Sequence, residues 1–119
     1  MRKHTISFRN AFAGIVSALS TQVNLKIHLV AGFLAIMLGL FLQISSFEFV
    51  SIILVISLVV LSEMINTALE HLADAVTKEH NEYIKMAKDV SAGAVLISAF
   101  TSLIVGAIIF LPKIAFLLN

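Results

Sequence analysis

The sequence predicts an all-α integral membrane protein: an amphipathic helix on the membrane surface, then three membrane-crossing helices. Three observations carry this. First, 60% of the 119 residues are hydrophobic and only 13% are charged, about half the usual charged share. Mean hydropathy is +1.05, more apolar surface than a small water-soluble domain can hide. Second, the apolar residues fall into long runs with no charge in them. Third, the basic residues are distributed unevenly between those runs. The length suits one domain, residues 1–119. The absence of cysteine excludes disulfides and thiolate metal sites. The net charge of +1 points to no acidic partner, and no nucleic-acid partner is expected.

Residues 1–28 are expected to form the surface helix. Phe8, Phe12, Ile15, Leu19 and Val23 recur on one helical face, with Arg2, Lys3, Arg9, Asn10, Ser17 and Ser20 off it. Aromatic anchors beside basic residues suit a helix lying in the lipid interface. A signal peptide fits less well, because Arg9 and Asn10 interrupt the apolar stretch such a peptide needs.

The first span is expected at about 29–45. Leu29 to Ile44 is apolar apart from Gln43, slightly short of the roughly 20 residues of a crossing helix unless its flanks are added. Ser45-Ser46-Phe47-Glu48 is expected as a tight turn. The second span, about 47–72, begins apolar and ends polar. Residues 76–89 carry Lys78, Glu79, His80, Asn81, Glu82 and Lys85 and are expected as a loop. Val90 to Leu111 is uncharged and forms the third span, with Pro112 and Lys113 expected to end it. Its small residues Ala87, Ser91, Ala94, Ser98, Ser102 and Gly106 form a stripe that allows close helix packing.

Basic residues concentrate in cytoplasmic segments of membrane proteins. Arg2, Lys3, Arg9 and Lys26 precede the first span, and Lys78, Lys85 and Lys88 lie between the second and third. The other side has only Lys113. The N-terminus and the 76–89 segment are therefore expected in the cytoplasm, together with the polar end of the second span.

That polar end carries the candidate chemistry. Glu63, Asn66, Glu70 and Asp74 sit at i, i+3, i+7 and i+11. At 100° per residue they share an arc of about 80°, bordered by Thr67. An ionisable group in lipid costs about 2.5–3.5 kcal/mol on insertion scales, so it marks a candidate functional site. Asp74 is equally well explained as a helix end emerging into water. Glu63 is deeper and has no basic residue within a turn or two of its own helix. Glu63 and Glu70 lie about 10.5 Å apart along the axis, too far to share one small cation comfortably. One carboxylate is then the better metal ligand, Glu70, and the deeper one the better base, since removal from water favours proton uptake. Asn66, between them, suits a substrate hydroxyl, a phosphate oxygen or the metal. Lys88 and Asp89 open the third span on the same side. Lys88 is placed to neutralise phosphate, whereas an acid such as Asp89 is favoured near a helix start in any case. Phosphate-binding glycine loops are absent, and His4, His28, His71 and His80 lack zinc-site spacing.

The run Glu63-Met64-Ile65-Asn66-Thr67-Ala68-Leu69-Glu70, then Asp74, then Ala87-Lys88-Asp89-Val90-Ser91-Ala92-Gly93-Ala94-Val95, strongly resembles the prokaryotic diacylglycerol kinase family, which includes undecaprenol kinases. Gln22-Val23-Asn24-Leu25-Lys26-Ile27-His28 is similar to the pattern ahead of that family's first membrane helix. The resemblance runs from about residue 7 to 110. It implies a homotrimeric enzyme of the bacterial inner membrane, with a surface helix and three membrane helices per chain. Such an enzyme transfers the γ-phosphate of ATP to a lipid hydroxyl using Mg²⁺. It further implies Glu63 as catalytic base, Asn66 beside the phosphates and the lipid hydroxyl, and Glu70 as metal ligand. Asp74, Lys88 and Asp89 are implied on the nucleotide side. Gln22 departs from the pattern, because much of the family has a metal-holding glutamate there; glutamine offers an oxygen without charge. Glu79-His80-Asn81-Glu82-Tyr83 also departs from the family's usual Glu-Tyr-His. The alternative function is a non-enzymatic membrane protein, a proton or cation pathway or a scaffold, built on the same buried carboxylates.

Overall fold

The structure, a computed structural model, describes the chain from Arg2 to Asn119 and the side chains from residue 7 onward. Arg2, Lys3 and His4 therefore contribute no described side chain. Four helices follow one another: α1 (Arg2–Thr21), α2 (Val23–Leu42), α3 (Ser46–Val76) and α4 (Glu82–Leu118). The last three are long and apolar enough to cross a membrane.

The surface helix ends at Thr21, not at residue 28. Thr21 Oγ1 donates to the carbonyl of Ser17 at 2.7 Å and Ser20 Oγ donates to the same carbonyl at 3.0 Å. Hydroxyls that bond nearby carbonyls compete with the helix ladder. Gln22 then takes an extended backbone (φ −106°, ψ 109°), and the chain turns there into α2. Residues 23–28 thus belong to the first long helix and bring α2 to 20 residues, about 30 Å, the thickness of a hydrocarbon core. The aromatic stripe of α1 faces away from the other helices: Phe8 is 80% exposed and Phe12 68%. Its small residues Gly14, Ser17 and Ala18 instead line a cleft against Met64, Thr67 and Ala68 of α3.

The turn after α2 is made by Gln43 in the left-handed region (φ 54°). The amides of Gln43 and Ile44 return to the carbonyls of Leu40 and Gly39 at 3.3 and 3.1 Å, closing the helix end. A side chain at Gly39 would come within 2.8 Å of Ile44 Cδ1. Ser45 then caps α3 reciprocally: its Oγ accepts from Glu48 N at 3.1 Å, and its own N–H donates to Glu48 Oε1 at 3.0 Å. The turn is therefore shorter than expected, with Ser46, Phe47 and Glu48 already helical.

The 76–89 segment is mostly helix as well. Asn81 Oδ1 accepts from the amides of Tyr83 and Ile84 at 3.0 and 3.2 Å, which starts α4 at Glu82. Only residues 77–81 connect α3 to α4. At the other end α4 continues through Pro112 to Leu118. Membrane helices tolerate an internal proline, and Lys113 Nζ reaches Glu48 Oε1 at 3.3 Å, tying the extended end of α4 to the start of α3.

The most extensive packing is between α3 and α4, with α2 against α3 next. Ile44, Ile52 and Ile109 form the buried cluster. Few other apolar side chains are buried: Ala18, Leu25, Val59 and Ala73 complete the core among the described residues. Ser98 of the small-residue stripe is buried, its hydroxyl donating to Ala94 O at 3.1 Å. Phe33, Phe41, Leu103 and Ile108 point outward, a surface suited to lipid or to another copy, not to water.

Candidate active site

Helix α3 runs 31 residues, about 46 Å and well beyond a 30 Å hydrocarbon core. Counted from Ser46 at about 1.5 Å per residue, Glu63 lies near 26 Å, Asn66 near 30 Å, Glu70 near 36 Å and Asp74 near 42 Å. The polar stripe therefore occupies the second half of the helix, with Glu63 nearest its middle and Asp74 close to its end.

Two environments result. Asn66, Thr67, Glu70, His71 and Asp74 line a small cleft with Gln22 from the α1–α2 break. The break is what places Gln22 there. Its amide nitrogen donates to Thr21 Oγ1 at 3.5 Å, which leaves its carbonyl oxygen as the atom available to a ligand. Asn66 Oδ1 is buried and makes no hydrogen bond, alone among the described side chains. Thr67 is occupied differently, its hydroxyl donating to Glu63 O at 2.9 Å. At the outer rim Lys88 of α4 donates to Asp74 Oδ1 at 2.9 Å, so α4 closes one side of the stripe. The cleft measures about 90 Å³, far below the roughly 300–1,000 Å³ of sites that enclose a small ligand. Within one chain it has room for an ion and part of a phosphate chain, not for a nucleotide.

Glu63 is not in that cleft. It is 6% exposed and faces α2, where His28 Nε2 approaches Glu63 Oε1 at 3.2 Å. Asp89 is also elsewhere. It pairs with Lys85 at 2.7 Å one turn back on its own helix, beside a shallow pocket of Glu79, His80, Asn81 and Lys88. Lys88 borders both places and is the only bridge between them among the described residues. The basic partner of Glu63 was missed by inspecting only its own helix; it comes from a helix 35 positions earlier. The available signal was that His28 and Glu63 are ionisable groups in apolar helices, and such groups pair.

The metal implied by the resemblance can be tested against these residues. No three acidic, histidine or cysteine side chains converge among the described residues. Besides the His71 imidazole and the Lys88-paired Asp74, the cleft offers three hard oxygen donors: the Glu70 carboxylate, the orphaned amide oxygen of Asn66 and the carbonyl of Gln22. Mg²⁺ commonly binds one or two carboxylates and completes its shell with water and substrate phosphates, and the donor set fits that mode.

Four helices, three of them membrane-length, carry an acid-and-amide cleft at one end and a carboxylate–imidazole pair a turn or two deeper. This is the layout of an all-α membrane protein with polar groups gathered at one end of its helices. The chain belongs to the prokaryotic diacylglycerol kinase family, whose model matches residues 9–110; it is a member of a lipid kinase family. It is 38% identical over 108 residues to the undecaprenol kinase of Bacillus subtilis (strain 168), covering 91% of this chain and 88% of the relative. It is also 38% identical over 110 residues to a diacylglycerol kinase of Synechocystis sp., covering 92% of this chain but 63% of that longer protein.

Proposed function

We propose that this chain transfers the γ-phosphoryl group of ATP to the hydroxyl of a membrane lipid, with diacylglycerol and undecaprenol as the candidate acceptors. The observation that carries this is the position of Asn66. A buried amide oxygen without a partner lies on α3 between the buried carboxylate of Glu63 and the exposed one of Glu70. An unpaired buried acceptor costs about 1–3 kcal/mol, and a substrate hydroxyl or a cation brought there would satisfy it.

Glu63 serves as general base. It takes the proton of the lipid hydroxyl as that oxygen bonds to the γ-phosphorus and the bond to the β-phosphate oxygen breaks, releasing ADP. Asn66 orients the hydroxyl and a phosphate oxygen. Lys88 offsets phosphate charge, and Asp74 and Asp89 lie on the nucleotide side. Glu70, Asn66 and Gln22 would hold Mg²⁺, which when bound neutralises charge on the transferred group. The small volume of the one-chain cleft supports a homotrimer in which a neighbouring copy completes the nucleotide site. Membership of the family supports a bacterial inner-membrane location, and the basic-residue distribution supports the cleft and the N-terminus lying in the cytoplasm.

The test is phosphotransfer from labelled ATP in mixed micelles, with diacylglycerol and undecaprenol offered side by side. Glu63→Gln is expected to lower kcat by about 10²–10⁴-fold, the usual contribution of a general base, while ATP binding persists. A variant that phosphorylates either lipid at a near-normal rate removes the base assignment.

A further inference from the structure

The contact between His28 and Glu63 has no role in the reaction as described so far. It is the one contact between ionisable side chains joining α2 to α3 among the described residues. The side chain of Glu63 is 8% exposed and that of His28 31%. The imidazole is therefore the outer partner, and it also lines an apolar groove with Ala31, Gly32, Val59 and Ser102. A glutamate has three free torsions. A base must hold its oxygen within about 2.6–3.2 Å of the proton it removes. Something has to fix that carboxylate, and among the described residues no other polar side chain is seen to hold its oxygens.

We infer that His28 is a positioning residue for Glu63: its imidazole holds Oε1, and this leaves the second carboxylate oxygen to meet the acceptor hydroxyl. The inference rests on Glu63 being the base.

The helix packing around the pair supports it. Leu25, one turn before His28, is 2% exposed. Gly32, one turn after it, lies so close to α3 that an added Cβ would meet Ile56 at 3.1–3.3 Å. The two helices are thus closely packed one turn after the imidazole, and groups on rigid elements hold a reacting geometry better than groups on loops. A neutral imidazole with its proton on Nε2 has an N–H to offer Oε1; in the structure the two atoms approach without the alignment of a hydrogen bond. At 3.2 Å the resting contact is long for a charge-assisted bond, and such contacts tighten when substrate arrives.

Three variants of the full-length protein in micelles test this: His28→Gln, His28→Asn and His28→Leu. Glutamine places an N–H near the position of Nε2, asparagine stops one methylene short, and leucine keeps only bulk. His28→Leu is expected to lose on the order of 10²-fold in kcat, the scale of a small misplacement of a reacting group. KM for ATP is expected to stay within about threefold, because ground-state binding is untouched. His28→Gln should recover to within about tenfold of the parent, and His28→Asn should stay as low as His28→Leu. A merely structural role would not distinguish glutamine from asparagine. Near-parental kcat in His28→Leu, equal rates for glutamine and asparagine, or a loss confined to KM each overturns the proposal. If His28→Leu does not fold, the glutamine–asparagine comparison decides. Glu63→Gln run alongside separates the two levels. A silent Glu63→Gln with a fully active His28→Leu leaves the base standing and removes His28. An active Glu63→Gln removes both.

Discussion

Asn66→Leu makes a demanding test, because it sets stability against activity. The Oδ1 of Asn66 is buried and unpartnered. An acceptor left so costs about 1–3 kcal/mol relative to its hydrated state, and replacing it by an apolar group of similar shape removes that penalty. Leucine has nearly the volume of asparagine plus a methyl group, and Asn66 is only half-buried, so overpacking is limited. The chain without nucleotide should therefore unfold at higher denaturant, corresponding to a gain of about 1–2 kcal/mol. Phosphotransfer should move the other way. A hydrogen bond to a charged group contributes about 1.5–3 kcal/mol, so kcat/KM should fall by roughly ten- to a hundredfold. Stability is read by denaturant titration in detergent without ATP or Mg²⁺, and activity by the micellar assay. A loss of more than about 1 kcal/mol in Asn66→Leu would show that the amide is already satisfied in the assembled protein, by another copy or by water. The functional reading of the orphaned oxygen would then be refuted, whatever the effect on rate.

The remaining predictions concern the rim, the metal and the α2–α3 turn. Lys88→Met should raise KM for ATP by about tenfold or more with a smaller change in kcat, since a phosphate contact made in the ground state is uniform binding; a pure kcat effect would count against it. Glu70→Gln should raise the Mg²⁺ concentration needed for half-maximal rate or remove activity, while Gln22→Glu should lower it, because it adds a second carboxylate to the same cleft. Unchanged Mg²⁺ titrations in both would show that the cation sits elsewhere. Gln43→Gly should raise the free energy of unfolding by up to about 1 kcal/mol, by relieving a left-handed non-glycine residue, with no effect on phosphotransfer.

The long-range features of the fold were legible because lipid imposes a simple rule. A helix exposed to hydrocarbon must be apolar over about 20 residues, and three such runs stand out. The helix ends were not legible, because each is decided by a few local hydrogen bonds. Nothing in the composition near Gln22 marks a break, yet two hydroxyls converging on Ser17 O help to end α1 there. Residues 82–89 look polar enough for a loop, but Asn81 caps a helix through them. Pro112 looks like a stop and is accommodated. The same division holds at the site. Asn66, Glu70 and Asp74 share a face because they lie on one helix, and periodicity reveals that. Gln22 reaches their cleft, His28 reaches Glu63, and Asp89 turns aside to Lys85. The first two depend on helix–helix register, which one helix's periodicity does not contain.

The partner found at Glu63 also fits the demands of a base in lipid better than the obvious alternative. A lysine at position 28 would place a permanent cation beside the carboxylate. Two opposite charges out of water attract strongly, but both then carry a desolvation penalty, and the cation would oppose the proton transfer the base has to accept. An imidazole can supply an N–H without carrying a second full charge, so it can orient the carboxylate without adding a permanent cation. It also tolerates the apolar groove on its other side, where an ammonium would require water. His28→Lys should therefore preserve the interhelical contact and still lose turnover, on the order of 10²-fold or more. Such a loss, in a variant whose folding and ATP binding match the parent, would separate holding the carboxylate in place from holding it in a reactive state. A fully active His28→Lys would show that any donor suffices at this position.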